Sequence, residues 1–109
     1  MAQKSELMPG TLDMLVLRVL SRGELHGWGI TNKLEQLSNS ALKVDEGSLY
    51  PSLYRMEEKG WIEAEWRKTE NNRRAKYYSL TRTGRKQLET EQANWDRMST
   101  VIAMVMESA

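Results

Sequence analysis

The chain has 109 residues, a net charge of +1, no cysteine and one histidine. That length makes one domain with a modest core; the missing thiols exclude disulfides and thiolate metal sites, and a lone histidine cannot build a zinc cluster. No segment approaches the roughly 20 apolar residues of a membrane span, and Met1 to Pro9 has no apolar run of the secretory kind, so a soluble, cytoplasmic chain is expected.

Met1 to Met8 is polar and is expected to be loose. Pro9-Gly10 signals a turn, and Thr11 is placed to cap a helix. Leu12, Leu15, Val16, Val19 and Leu20 then recur at i, i+3, i+4, i+7 and i+8, the pattern of an amphipathic helix. Met14 and Leu17 widen its apolar face, which suits either a second subunit or further burial within one chain. Gly23 is expected to end this helix in a left-handed conformation. Glu24 to Gly27 has room for a small strand, with His26 a turn or capping residue. A second helix is expected from Trp28 to Leu37, with Ile30, Leu34 and Leu37 inward, closed by the turn-rich Ser38-Asn39-Ser40.

The stretch from Val44 to Gly60 predicts a third helix. Leu49, Leu53 and Met56 form its apolar stripe, flanked by Tyr50 and Tyr54. Ser48, Ser52, Arg55 and Lys59 share a face about a quarter-turn away. Hydroxyls and an arginine fork are groups that meet phosphates and base edges. Pro51 cannot donate a helical hydrogen bond and belongs in a first turn. With Ser48 as the N-cap it removes no bond; with Asp45 as the cap, the turn near Gly47 must loosen.

After Gly60 the period becomes two. Ile62, Ala64 and Trp66 alternate with Glu63, Glu65 and Arg67, as in a half-buried strand. A loop with an Asn71-Asn72 centre follows. Lys76, Tyr78 and Leu80 then share one side of a second strand, completing a hairpin. Arg67 to Arg85 holds seven basic residues against one acid, Glu70. Such a block on a near-neutral chain is either a solvated loop or a face that attracts a polyanion. From Thr81 to near Glu107 one long helix is expected, on the order of 38 Å. Trp95, Met98, Ile102 and Val105 follow the spacing of a helix–helix seam. The far end of so long a helix needs a partner, and a second copy across a two-fold axis would supply one.

Three helices, a two-stranded wing and a long C-terminal helix make a mainly α, α+β winged helix-turn-helix. Residues 9–81 form the expected DNA-binding unit and residues 82–109 the dimerisation helix, within one compact body. In such a domain the third helix enters the major groove and the wing reaches phosphates.

The runs GTLDMLVLRVL at 10–20, HGWGI at 26–30, GSLYPSLYRMEEKGWIEAEW at 47–66 and RRAKYYSLTRTGRKQL at 73–88 resemble the PadR-like family of transcriptional regulators. Trp28 departs from the family's usual tyrosine and keeps an aromatic there. The chain resembles the short subclass, which dimerises through one C-terminal helix. The resemblance implies a homodimeric repressor on a near-palindromic operator, and Tyr50 at the start of the reading helix is implied to touch DNA. It also implies a small hydrophobic or phenolic effector at the dimer centre.

The candidate DNA-contacting residues are therefore Ser48, Tyr50, Ser52, Arg55, Arg73, Arg74, Lys76 and Tyr77. Trp95, Met98 and Ile102 are candidates either for a filled dimer seam or for a platform that takes a planar aromatic molecule. No cofactor, metal or catalytic residue is expected. A winged-helix module that binds only proteins is the competing reading.

Overall fold

The computed structural model describes residues 9–108; the stretch Met1 to Met8, expected to be loose, lies outside them. Seven elements follow in order: α1 (Pro9–Leu20), β1 (Leu25–His26), α2 (Gly27–Leu37), α3 (Glu46–Glu58), β2 (Ile62–Lys68), β3 (Arg74–Leu80) and α4 (Arg82–Glu107). The expected wing is present, and β1 adds a third strand to it. The sheet is antiparallel in the order β1-β3-β2, with Tyr78 opposite both Leu25 and Ala64.

The core forms where the apolar stripes of the helices meet one end of this sheet. Val16 and Leu17 of α1, Ile30 of α2, Leu49, Leu53 and Met56 of α3, and Ile62 of β2 are all buried. Leu17 is thus covered within a single chain, so part of the wide face of α1 needs no second subunit. The stripe of α2 runs on after the core has ended: Leu37, expected inward, is 68% exposed. Trp66 likewise leaves the core, because β2 extends outward from its buried end at Ile62 toward the wing tip.

Local chemistry sets the helix ends. His26 caps α2, its Nδ1 accepting from the Gly29 N–H at 3.0 Å. At the other end of α2, Asn39 is left-handed at φ 54°, and the Ser40 N–H bonds back to the Glu35 carbonyl at 2.7 Å. Gly60 does the same after α3 at φ 76°, with the Trp61 N–H on the Met56 carbonyl at 2.9 Å. These paired back-bonds satisfy carbonyls that a helix end leaves open.

At the helix starts one expectation is corrected, and one of two alternatives is decided. Helix α1 begins at Pro9, before Thr11. Proline has its fixed φ and missing N–H suited to a first helical position. The cap of α3 is Asp45, whose carboxylate accepts from the Ser48 N–H at 2.8 Å. Pro51 is therefore the sixth helical residue and sits inside α3. Its ring leaves the Gly47 carbonyl without a helical donor.

Helix α4 runs beside α1 and has its start fixed at one corner. The Thr81 hydroxyl shares its one proton between the Gly60 carbonyl at 2.6 Å and the Trp61 carbonyl at 2.9 Å, and accepts from the Gly84 N–H at 3.0 Å. Gly84 is there because nothing larger fits. A Cβ at that position would stand 2.0 Å from the Trp61 carbonyl oxygen. Beyond Leu88, α4 leaves the core, and the molecule is 58 × 37 × 21 Å.

Candidate nucleic-acid interface

The stripe Leu49, Leu53 and Met56 seats α3 in the core. The face it turns outward carries Gly47, Tyr50, Pro51, Tyr54 and Glu58, all exposed. Tyr50 is 44% exposed, and its hydroxyl rests over the backbone of Gly27 at the start of α2, where even a Cβ would stand 2.3 Å from it. Tyr54, one turn on, is 64% exposed.

The face marked by Ser48, Ser52 and Arg55 is rotated toward α1 instead. Ser52 is fully buried and its hydroxyl donates to the Asp13 carboxylate of α1. Arg55 donates to the same oxygen at 2.8 Å and keeps its side chain 40% exposed. Ser52 is therefore withdrawn from the candidates for DNA contact: a hydroxyl with no accessible surface cannot reach a phosphate. The cause is Asp13, an acid in an otherwise apolar stretch, which draws both partners inward. Ser48 is half-buried beside its cap.

The wing places its cations at graded distances from neutralisation. Arg67 is bonded to Glu24 at 2.6 Å and lies over the Tyr77 ring at 4.5 Å. The hydrogen bond to Glu24 raises the Arg67 pKa above its ordinary value, outweighing partial desolvation. Lys76 reaches Glu57 of α3 at 3.5 Å, tying the wing to that helix. Tyr77 is half-buried, edge-on to the His26 ring at 5.2 Å. Tyr78 is buried, and burial, followed by the nearby Glu57 and Tyr50, raises its pKa.

At the tip, Arg73 and Arg74 are exposed and have no carboxylate partner among the described residues. Arg74 stacks over Trp66 with 5.3 Å to the ring centroid. Asn72 turns the tip at φ 61°, as the Asn-Asn centre predicts, and its N–H bonds to the Thr69 carbonyl at 2.9 Å. Between wing and helices runs an open groove of about 1060 Å³, lined among others by Trp28, Tyr50, Trp66, Arg74 and Tyr77.

A second hollow, of about 410 Å³, lies between α1 and α4. Gly10, Thr11, Met14, Glu91, Trp95 and Met98 line it. Ile102 lies one turn beyond, 52% exposed. The helical spacing of Trp95, Met98 and Ile102 singles these residues out, but the hollow itself needs α1 and α4 side by side.

A three-helix core, an outward helix α3 and a basic-tipped wing on the same side are the parts of a winged helix-turn-helix reader. The model of the transcriptional regulator PadR-like family matches residues 16–90. The chain belongs to the PadR-like family. The fold agrees with a PadR-like transcriptional regulator from Bacillus cereus at 30% identity, covering 96% of this chain and 100% of that one, with a TM-score of 0.79. A transcriptional regulator from Clostridium thermocellum is 25% identical, with coverage of 92% and 97% and a TM-score of 0.83. An uncharacterised protein from Lysinibacillus sphaericus is 27% identical over 104 residues, 95% of each chain. As a PadR-like protein this chain is a DNA-binding transcriptional regulator and not an enzyme. No helix among the described residues is long and apolar enough to cross a membrane.

Two residues were not legible as candidates. By its spacing Tyr54 reads only as a flank of the apolar stripe, although its place four residues after Tyr50 puts both on one exposed strip. Asp13 had a signal too, being the one acid in α1, but its partners lie 39 and 42 residues away in sequence.

Proposed function

We propose that the chain acts as a homodimeric, ligand-responsive repressor on a near-palindromic operator. The observation that carries this reading is the bare apolar length of α4. Trp95, Met98, Val101, Ile102, Met104, Val105 and Met106 are all exposed in a single chain. A contiguous apolar strip of this kind marks an association surface. A two-fold axis through it pairs like with like and sets two reading heads apart. Residues 82–109 would then serve dimerisation and residues 9–81 would serve DNA.

Tyr50 and Arg55, with Ser48 beside them, meet the major groove; Arg73, Arg74, Lys76 and Tyr77 meet the backbone alongside. Two such heads fit sites one helical turn apart, roughly 34 Å. Occupying a promoter is the action these parts suffice for, hence repression. A small hydrophobic or phenolic effector fits the hollow between α1 and α4, against Trp95 and Met98. It acts by favouring a dimer with the wrong head spacing, and weakens DNA binding by its difference in affinity for the two states.

Sedimentation equilibrium at micromolar concentration tests the first step. The expected mass is twice the 12.6 kDa of one chain, and a Val105→Glu change is expected to return it to that of a single chain. A monomeric wild type would end the dimer reading. Titration of planar aromatics, followed by tryptophan fluorescence, tests the second. Binding that survives Trp95→Ala unaltered makes Trp95 a seam residue only.

A further inference from the structure

The Asp13 carboxylate is 14% exposed and accepts, at one oxygen, both the Ser52 hydroxyl and the Arg55 guanidinium. Ser52 is fully buried, so the carboxylate is held from a fixed point on α3. Arg55 is the only lysine or arginine between Glu46 and Glu58. One N–H group is committed to Asp13, and the rest of the planar fork remains available on a side chain still 40% exposed.

We propose that Asp13 is a positioning residue for DNA recognition: it holds the Arg55 fork in one orientation at the edge of the reading helix. The proposal rests on the reading of α3 as the DNA-facing helix. An unheld arginine samples many rotamers and must be ordered at the moment of binding. A held one meets a base edge or phosphate without that loss.

The sign of the effect separates this role from plain electrostatics. Asp13 is negative, so removing its charge should by itself raise affinity for any DNA. A positioning residue does the opposite to the preferred sequence alone. The quantity to measure is therefore the ratio of affinities for two duplexes at equal salt. One is the tightest sequence selected by the wild-type protein from a random pool, and the other is a scrambled duplex.

Asp13→Asn keeps an acceptor for Ser52 and removes the charge that holds Arg55. It is expected to lower the ratio by about tenfold, within the span of one well-placed arginine contact, while affinity for the scrambled duplex stays equal or rises. In an Arg55→Ala background the same change is expected to do nothing further. Arg55→Lys, which leaves Asp13 and Ser52 in place, keeps a positive charge without the fork and is expected to lose the ratio as well. A ratio unchanged in Asp13→Asn, losses that multiply in the double variant, or an unaltered ratio in Arg55→Lys overturns the proposal. An Arg55→Ala protein with full selectivity removes Arg55 from the interface and the positioning role with it, while the wing stands or falls on its own substitutions. Circular dichroism and the unfolding midpoint confirm that each variant is compared in its folded state.

Discussion

Replacing Arg73 and Arg74 together by alanine removes the two wing-tip cations that have no carboxylate partner among the described residues. Lys76 and Arg67, by contrast, are already partnered by Glu57 and Glu24. Each phosphate neutralised releases about 0.9 of a counterion, so two tip arginines in each protomer of the proposed dimer account for a slope of about 3.6 in log K against log salt. Between about 50 and 200 mM salt that slope amounts to roughly two decades of affinity. The double variant should therefore bind more weakly at low salt and lose about two decades less on raising the salt over that range. Fluorescence anisotropy on a labelled duplex at several salt concentrations gives the slope directly. Lys76→Ala should flatten it less, since Glu57 already offsets that charge. A double variant whose slope matches wild type to within one phosphate, about 0.9, refutes the assignment of the wing tip to the DNA backbone.

Gly84→Ala tests the corner that holds α4. The added methyl would stand 2.0 Å from the Trp61 carbonyl oxygen and 2.8 Å from Leu80 Cδ1, and overpacking of this kind costs about 1–3 kcal/mol. A helical alanine recovers about 1 kcal/mol of that, so urea unfolding at fixed protein concentration should show a net loss. Gly10→Ala is the internal control, since nothing among the described residues lies within 4 Å of its added carbon, and it should be neutral or stabilising by up to about 1 kcal/mol. Tyr78 makes an alkaline prediction. Its raised pKa means that the unfolded chain ionises first, near the ordinary tyrosine value of about 10. Its stabilising contribution is thus complete below that pH and falls as pH rises through the folded-state pKa. Tyr78→Phe should lose less stability over the same rise; an identical decline in both proteins would place the alkaline sensitivity elsewhere.

Much of the reader is legible in the sequence. The three-four spacing of Leu49, Leu53 and Met56 and the two-residue alternation of Ile62 and Ala64 report directly on which side chains face a core. The Asn-Asn turn and the caps act within a few residues, so they are written locally. What was misjudged depended on neighbours far along the chain. Ser52 looked like a surface hydroxyl because it lies off the apolar stripe, yet Asp13, 39 residues earlier, takes it into the interior. Leu37 and Trp66 continued their periodic patterns past the point where the core stops. Of the two caps open for α3, Ser48 and Asp45, the fold uses Asp45, which leaves Pro51 inside the helix.

Periodicity and the basic block between Arg67 and Arg85 by themselves determined a winged helix with a charged hairpin and an apolar C-terminal seam, because helix and strand repeats and local charge are properties of neighbouring residues. Only the tertiary structure decided how α3 is rotated about its own axis, and so that Tyr50 and Tyr54 face outward while Ser52 faces α1. The stripe Leu49, Leu53 and Met56 sets which side of α3 is buried, and the packed orientation brings Ser52 and Arg55 to Asp13, a largely covered carboxylate that needs donors once it leaves water.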